Sequence, residues 1–321
     1  MPQKARKICL LLLLGGCLFT AACSAQTEEQ ALENLRSLTR DGQLPPENVV
    51  TDLERRFAGK RTGALARLVH ARIRFEAGDF AGVASLLDTD VFRTKTKVAD
   101  QALWLRARAL EKAGNNAEAL KAAEALIRDF PQSIRVRETK LVWARAAIAS
   151  GRAVEVPPFL VELSESNDPD ALLITAKAYE AENSMPDAMR YYRRTYFLAA
   201  GTPQAQEAEA KLTSLQQPLT PQSSAEQIAR ADQFAKTKNY LEAAKALDTL
   251  TSAFPVALTQ DVLLRRVTAY ANAGRMPDAT TSFVAIPASA RERDEGYRQL
   301  VLGYVKARQW SQAKTTADEM R

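Results

Sequence analysis

The residue types that support catalysis or metal binding are scarce in this sequence of 321 residues. It contains one histidine, His70, and three cysteines, Cys9, Cys17 and Cys23, all within the first 23 positions. A nucleophile needs a base beside it, and a zinc ion needs three or four ligands that are mostly nitrogen or sulfur atoms. Neither set of the common kinds can be assembled around one histidine, and no glycine-rich phosphate loop is present. We therefore predict no metal site and no cofactor.

Carboxylates need separate consideration, because one buried glutamate can act as both general acid and general base. Glu165 and Ser166 form a Glu-Ser pair, and residues 269–274 loosely resemble the Ala-Tyr-Asn-Ala-Gly stretch of lytic transglycosylase catalytic domains. Glu165 is, however, predicted to end a helix, and the stretch that contains Tyr270 also fits the helical repeat described below. The order and spacing of the two fragments do not reproduce that catalytic domain. We therefore predict no catalytic residue in this chain, while membership of a larger enzyme stays open.

The N-terminus has the features of an export signal. Three cations, Lys4, Arg6 and Lys7, precede an apolar stretch over residues 8–22 that is shorter than the about 20 residues of a membrane span. The stretch ends in Thr-Ala-Ala-Cys-Ser, which resembles the lipobox of bacterial lipoproteins, whose cysteine is lipidated and becomes the first mature residue. This resemblance implies a signal peptide over residues 1–22 and lipid attachment at Cys23.

Two alternatives to lipidation at Cys23 stay open. The Leu-Gly-Gly-Cys sequence that ends at Cys17 has nearly the same pattern, although cleavage there would expose the apolar residues 18–19. An ordinary secretory signal, cut after Ala22 or Ala25, would export a soluble protein. No cysteine follows Cys23, and a single thiol in an oxidising compartment is best explained if lipid blocks it.

The net charge does not indicate nucleic-acid binding. The formal charge of +6 includes the three cations of the export signal, and their removal leaves 41 basic against 38 acidic residues. Nucleic-acid binding requires a clustered basic surface. The adjacent arginines at 193–194 and 265–266 fit solvated helix faces better. We therefore predict no nucleic-acid partner.

The elements that carry these residues are predicted to be helices arranged in a repeat. Alanine, leucine, arginine and glutamate dominate segments of helical length, and no alternating strand pattern occurs. Two segments share a small residue, a bulky residue three later, a turn, an alanine and a proline twelve further on: Ala107, Leu110, Gly114, Ala119 and Pro131, and Ala231, Phe234, Asn239, Ala243 and Pro255. This pattern resembles the tetratricopeptide repeat, a helical hairpin with a period of about 34 residues. The resemblance implies an all-α fold, a right-handed superhelix (solenoid) of tetratricopeptide-like helical hairpins.

The repeat also predicts how the chain is divided. The pattern recurs with lower fidelity around Ala71, Ala176, Tyr270 and Tyr304. A copy over residues 140–163 is predicted to be faulty, because Pro157 and Pro158 interrupt its second helix. The predicted parts are a signal peptide (1–22), a tether with N-terminal capping helices (23–62), a first group of hairpin repeats (63–215), a Pro/Ser/Thr linker (216–224) and a second, apparently truncated group (225–321).

The repeat predicts a function in binding. Stacked hairpins line one face with their first helices, which forms an extended groove for a peptide or protein. Four side chains are predicted to face this groove: Arg72, Trp104, Arg108 and Lys177. A tryptophan between arginines suits an anchor, although Trp104 could instead pack into the neighbouring hairpin. The Phe-Pro-Gln-Ser sequence at 130–133 resembles envelope lipoproteins of this kind, including the outer-membrane β-barrel assembly lipoprotein. We predict a non-catalytic periplasmic scaffold that binds an envelope protein or peptide and is lipid-anchored to a membrane, the outer favoured over the inner.

A second function stays open as an alternative. Residues 65–321 also resemble the N-terminal superhelical region of soluble lytic murein transglycosylases. This resemblance implies peptidoglycan as a partner and a catalytic domain beyond Arg321. The last hairpin, which stops without a polar capping helix, favours the alternative, since an uncapped solenoid exposes its core.

Overall fold

The computed structural model describes residues 26–320, which fall into two compact units, one ending at Ile73 and the other beginning at Arg74. Over the described residues the only regular secondary structure is helical, which confirms the predicted all-α repeat fold. None of these helices combines the length and the apolar character needed to cross a bilayer. The predicted signal peptide and both candidate lipid-attachment sites, Cys17 and Cys23, lie outside the described residues.

The first unit contains helices α1 (Glu28–Leu38), α2 (Glu47–Arg56) and most of α3 (Arg61–Glu76). Helix α1 begins with a capping box, in which the Thr27 hydroxyl accepts from the Gln30 amide and the Gln30 side chain accepts from the Thr27 amide. Pro46 directly precedes α2, where its missing amide leaves no donor unpaired. The core of the unit is apolar and consists of Ala31, Leu35, Val50, Leu53, Phe57 and Ala66.

The second unit continues as a series of helical hairpins. Its earlier helices are α4 (Phe80–Leu86), α5 (Val91–Lys95), α6 (Ala99–Lys112), α7 (Asn116–Asp129), α8 (Val136–Ala149), α9 (Val156–Phe159), α10 (Val161–Glu165), α11 (Pro169–Ala181), α12 (Met185–Leu198) and α13 (Pro203–Ser214). The later ones are α14 (Ser224–Lys236), α15 (Tyr240–Ala253), α16 (Gln260–Asn272), α17 (Met276–Val284), α18 (Glu292–Lys306) and α19 (Trp310–Glu319). Helix α6 packs on α7, α11 on α12, α14 on α15, α16 on α17, and α18 on α19.

The alanines of the repeat lie where the hairpin helices meet. Ala107 on α6 and Ala119 on α7 are fully buried, and so are Ala176 on α11 and Ala188 on α12. A larger side chain at such a site would force the two helices apart. These four alanines therefore allow the helices of each hairpin to approach closely.

Several hairpins turn through a residue in the left-handed conformation. Gly114 and Gly274 have φ angles of 76° and 75°, which glycine adopts without steric cost. The equivalent turns of three other hairpins use Asn183, Lys238 and Arg308, with φ angles of 57°, 61° and 59°. These three residues hold a conformation that disfavours a Cβ atom.

The copy predicted to be faulty is broken in its second helix. After α8 the chain forms a short 3-10 turn and then two helices of four and five residues, α9 and α10. Pro157 and Pro158 lie at the start of α9, where their missing amides are tolerated. The broken segment still contributes to the core, because the ring centroids of Phe159 and Trp143 lie 4.0 Å apart and Leu160 is fully buried.

Residues 215–223, which overlap the predicted Pro/Ser/Thr linker, are irregular, whereas the sequence did not predict α13 before them as a separate helix. Helix α13 occupies the place of a first helix but is not followed by a second one, because the prolines at 218 and 221 cannot continue a helix. Arg193 on α12 donates to the carbonyl oxygens of Pro218 and Thr220 and to Glu226 on α14. The irregular segment is thus held against both neighbouring helices, and the predicted domain boundaries stay a prediction.

Candidate partner-binding surface

The first helices of neighbouring hairpins are joined by side-chain hydrogen bonds that span one repeat. Arg135, just before α8, donates to Gln101 on α6 over 2.9 Å. Gln204 on α13 donates to Asp170 on α11 over 2.6 Å. Both pairs are 34 residues apart, which is the period of the repeat. These bonds therefore fix the register between consecutive hairpins.

Cations occupy equivalent positions on four successive first helices of the second unit. We call Arg108, Arg145, Lys177 and Lys211, on α6, α8, α11 and α13, the basic row. Arg72 holds the equivalent sequence position on α3 in the first unit, where it is exposed. Three of these five residues, Arg72, Arg108 and Lys177, were predicted to face a partner.

Two cations of the basic row pair with a carboxylate on the preceding first helix. Arg145 donates to both carboxylate oxygens of Glu111 on α6, with one Nη–Oε distance of 3.1 Å. Lys211 donates to Glu180 on α11. The carboxylate precedes the cation by 34 residues in the first pair and by 31 in the second. These two charges are therefore neutralised within the protein.

Lys177 is also paired, but in the opposite direction along the repeat. Its Nζ atom lies 2.6 Å from a carboxylate oxygen of Glu207 on α13, the following first helix. Both side chains are about half exposed, so the pair is open to solvent and is worth at most about 1 kcal/mol. A partner carboxylate would have to compete with Glu207 for Lys177.

Arg108 differs from the rest of the basic row in its partners. Within residues 26–320, no carboxylate lies within salt-bridge distance of its guanidinium. Instead, the guanidinium carbon lies 4.8 Å from the ring centroid of Phe75 and 4.8 Å from that of Trp104. Arg135 also contacts this tryptophan, with its guanidinium carbon 3.9 Å from the ring centroid. Cation–π contacts thus orient Arg108 without neutralising its charge.

The sequence left open whether Trp104 faces the groove or packs into the neighbouring hairpin. In the structure its side chain is half-buried, which is intermediate between the two. Its Nε1 atom exposes almost no surface and has no hydrogen-bond partner within the described part of the chain. A buried donor without an acceptor costs about 1–3 kcal/mol. Trp104 and Arg108 lie together, but the predicted role of either in binding stays a prediction.

His70, the single histidine, is buried in the first unit and has a structural explanation. Its Nδ1 and Nε2 atoms each lie 2.9 Å from a carboxylate oxygen, of Glu54 and Glu47 respectively. Glu54 also accepts a 2.7 Å hydrogen bond from Arg67 Nε. Since both glutamates are on α2 and His70 is on α3, these bonds fasten the two helices together.

The carboxylate fragments considered for catalysis take part in ordinary helix contacts. Glu165 is the last residue of α10, and Ser166 follows it as the C-cap. The Tyr270 hydroxyl donates to Asp248, which also forms an ion pair with Arg266, with an Nη–Oδ distance of 2.7 Å. Burial and this hydrogen bond raise the pKa of Tyr270 to about 12. Among residues 26–320 no group of three or more His, Cys, Asp or Glu could hold a metal ion.

A second tyrosine–carboxylate contact links α11, α12 and α13. The buried Tyr192 hydroxyl donates to Glu180 over 2.6 Å, and Lys211 donates to the other oxygen of the same carboxylate. Burial, together with the hydrogen bond, raises the pKa of Tyr192 well above its usual value. Burial also acts to raise the pKa of Glu180, but the bonds from Lys211 and Tyr192 outweigh it and lower that pKa.

The fold and this surface define a class, an all-α protein built from repeated helical hairpins. The sequence model of the tetratricopeptide repeat matches residues 101–133, which cover most of α6 and all of α7. Among solved structures, the chain is similar to a tetratricopeptide repeat protein from Parabacteroides merdae, with 14% sequence identity and a TM-score of 0.43 over 86% of this chain and 98% of that one. No curated protein matches the sequence significantly.

Proposed function

We propose that the chain is a non-catalytic scaffold that binds a protein or peptide partner in the bacterial cell envelope. The tetratricopeptide repeat match and the hairpin array support a role in protein–protein interaction, the general use of such repeats. The observation that carries the proposal is the contact of Trp104 with Arg108 on the first-helix face. Tryptophan and arginine are the residue types that most often dominate binding energy at protein interfaces.

The partner role is tested by truncating Trp104. Trp104→Ala should reduce the recovery of a partner cross-linked in cells, because loss of an interface anchor costs about 2 kcal/mol or more. Trp310→Ala is the matched control, since Trp310 lies on the last helix and its side chain is largely exposed. Equal recovery with both variants would contradict the proposal. A large drop in melting temperature for Trp104→Ala alone would show that the residue serves the core instead.

We further propose that the scaffold is periplasmic and held on a membrane, the outer favoured over the inner, by lipid on Cys23. The lipobox-like sequence and the lack of any later cysteine support this. Mass spectrometry of the mature N-terminus should find a lipidated residue 23, and Cys23→Ser should release the protein into the soluble periplasmic fraction. Lipid on Cys17, or an unmodified N-terminus that begins after residue 22 or 25, would contradict the assignment.

The alternative is an N-terminal arm of a soluble lytic murein transglycosylase, which would bind peptidoglycan. It is favoured by the irregular segment 215–223, which interrupts a long hairpin array much as a Pro-rich joint does in that family. Purified sacculi should then retain the full-length protein, whereas the scaffold proposal expects it in the unbound fraction. A reading frame that continues beyond Arg321 into a domain with a catalytic glutamate would decide for the alternative.

A further inference from the structure

Among residues 26–320, one sequence difference between corresponding hairpins leaves Arg108 without a carboxylate partner. Arg145 and Lys211 each pair with a glutamate on the preceding first helix, 34 and 31 residues earlier. The equivalent neighbour of Arg108, 33 residues earlier on α3, is Phe75. An aromatic ring orients a guanidinium but cannot neutralise it. Arg108 is thus the cation of the basic row that keeps its charge available.

The same contacts prepare Arg108 to bind. Its guanidinium lies 4.8 Å from two ring centroids, those of Phe75 and Trp104, so part of the side-chain freedom that binding would remove is already lost. A guanidinium held by cation–π contacts keeps its N–H donors, whose fork matches a carboxylate. The surface therefore offers a positioned donor group that lacks an acceptor within the described residues.

We propose that Arg108 binds a carboxylate side chain in an acidic segment of the partner protein. The inference rests on the proposed scaffold function and specifies the chemistry of its partner. Charge complementarity selects this occupant: Glu111 and Glu180 satisfy the equivalent cations from within the chain, and the partner supplies the missing carboxylate for Arg108. Phe75 is therefore the residue that makes this position available for binding.

The probe is a fluorescein-labelled peptide of alternating Glu and Ser, measured by fluorescence anisotropy against the full-length protein in detergent at low salt. A second peptide has Gln at every Glu position. We expect the Glu peptide to bind, the Gln peptide to bind at least about tenfold more weakly, and added salt to weaken the Glu peptide selectively. Wild-type protein that shows no preference for the Glu peptide at concentrations up to about 1 mM would overturn the inference.

Two variants test Arg108, so that the result does not depend on the correct folding of one of them. Arg108→Gln removes the charge, and Phe75→Glu supplies the internal carboxylate that the equivalent hairpins already have. Each should weaken the Glu peptide about tenfold or more. Lys121→Gln, which removes one exposed cation from the second helix of the same hairpin, should change affinity less than about twofold. Unchanged binding in both test variants, with circular dichroism spectra like that of the wild type, would overturn the inference.

The cross-linked partner separates this inference from the scaffold function. If Arg108→Gln lowers partner recovery while Lys121→Gln does not, both proposals are supported. Equal recovery with the two variants would leave the scaffold standing and show that carboxylate binding at Arg108 is wrong. Failure of the wild-type protein to capture any partner would count against the scaffold function itself, whatever the peptide affinities.

Discussion

Lys238, at the turn between α14 and α15, should be replaceable by glycine with a gain in stability. Its φ angle is 61°, and two backbone bonds fix that conformation: the Lys238 amide donates to Ala235 over 3.0 Å and the Asn239 amide to Phe234 over 2.8 Å. This is the Schellman arrangement, in which glycine is the preferred residue. A residue with a Cβ atom pays about 1–2 kcal/mol for the left-handed conformation.

The expected gain is smaller than that steric cost. Glycine loses about 0.5–1 kcal/mol more conformational free energy on folding than other residues. Lys238→Gly should therefore raise the free energy of unfolding by about 0.5–1 kcal/mol. Because hairpin repeats can unfold in groups, urea denaturation by circular dichroism should be combined with hydrogen exchange at the amides of α14 and α15.

Lys236→Gly is the control, since it removes the same type of charge two residues earlier, at the last residue of α14, where the backbone is still helical. Glycine within a helix costs up to about 1 kcal/mol, so this change should lower stability. The two variants are thus expected to have opposite signs. A destabilised Lys238→Gly, or stabilisation of equal size by both changes, would refute the assignment of conformational strain to Lys238.

Three further predictions concern other contacts. Gly63→Ala should lower the free energy of unfolding by about 1–3 kcal/mol, because the new Cβ would lie 2.1 Å from the Phe57 carbonyl oxygen; denaturation that matches the wild type would contradict it. Tyr192→Phe should lower the free energy of unfolding by about 1 kcal/mol, because its hydrogen bond to a partly exposed carboxylate is lost. Tyr179→Phe, in the same hairpin, should lower it little. Equal losses would refute the attribution of the effect to this hydrogen bond. The raised pKa of Tyr270 means that its contribution to stability is complete below about pH 10 and is lost as pH rises towards 12. Over this pH range the melting temperature of Tyr270→Phe should therefore fall less than that of the wild type, and an equal fall would contradict the reasoning.

Much of the fold could be predicted because each hairpin repeats the same steric demands. The repeat pattern was recognised partly from the alanines at 107 and 119, and both are fully buried where the hairpin helices meet. Gly114 marked a turn that does require positive φ. Lys238 gave no such signal, because a lysine is no marker of the left-handed conformation. Its role follows only from alignment with the glycines of other copies.

Helix α13 and the broken copy show where sequence reasoning reached less far. The prolines at 157 and 158 predicted the interruption, but not that both would lie at the start of a new short helix, α9, with Phe159 packed on Trp143. Helix α13 was missed as a separate element because the repeat template expects a second helix after it. The irregular segment 215–223 takes that place, and Arg193 holds it through main-chain carbonyl groups that carry no sequence signal.

The candidate site could be predicted only in part, since its availability depends on partners one repeat away. The sequence placed Arg108 and Lys177 in the same category, as cations on first helices. The structure separates them, because Lys177 contacts Glu207 whereas Arg108 contacts Phe75. Which of several carboxylates about 34 residues away reaches a given cation depends on how the two helices pack. Once that geometry is known, a single aromatic residue in place of a glutamate changes an internal ion pair into a cation available to a partner.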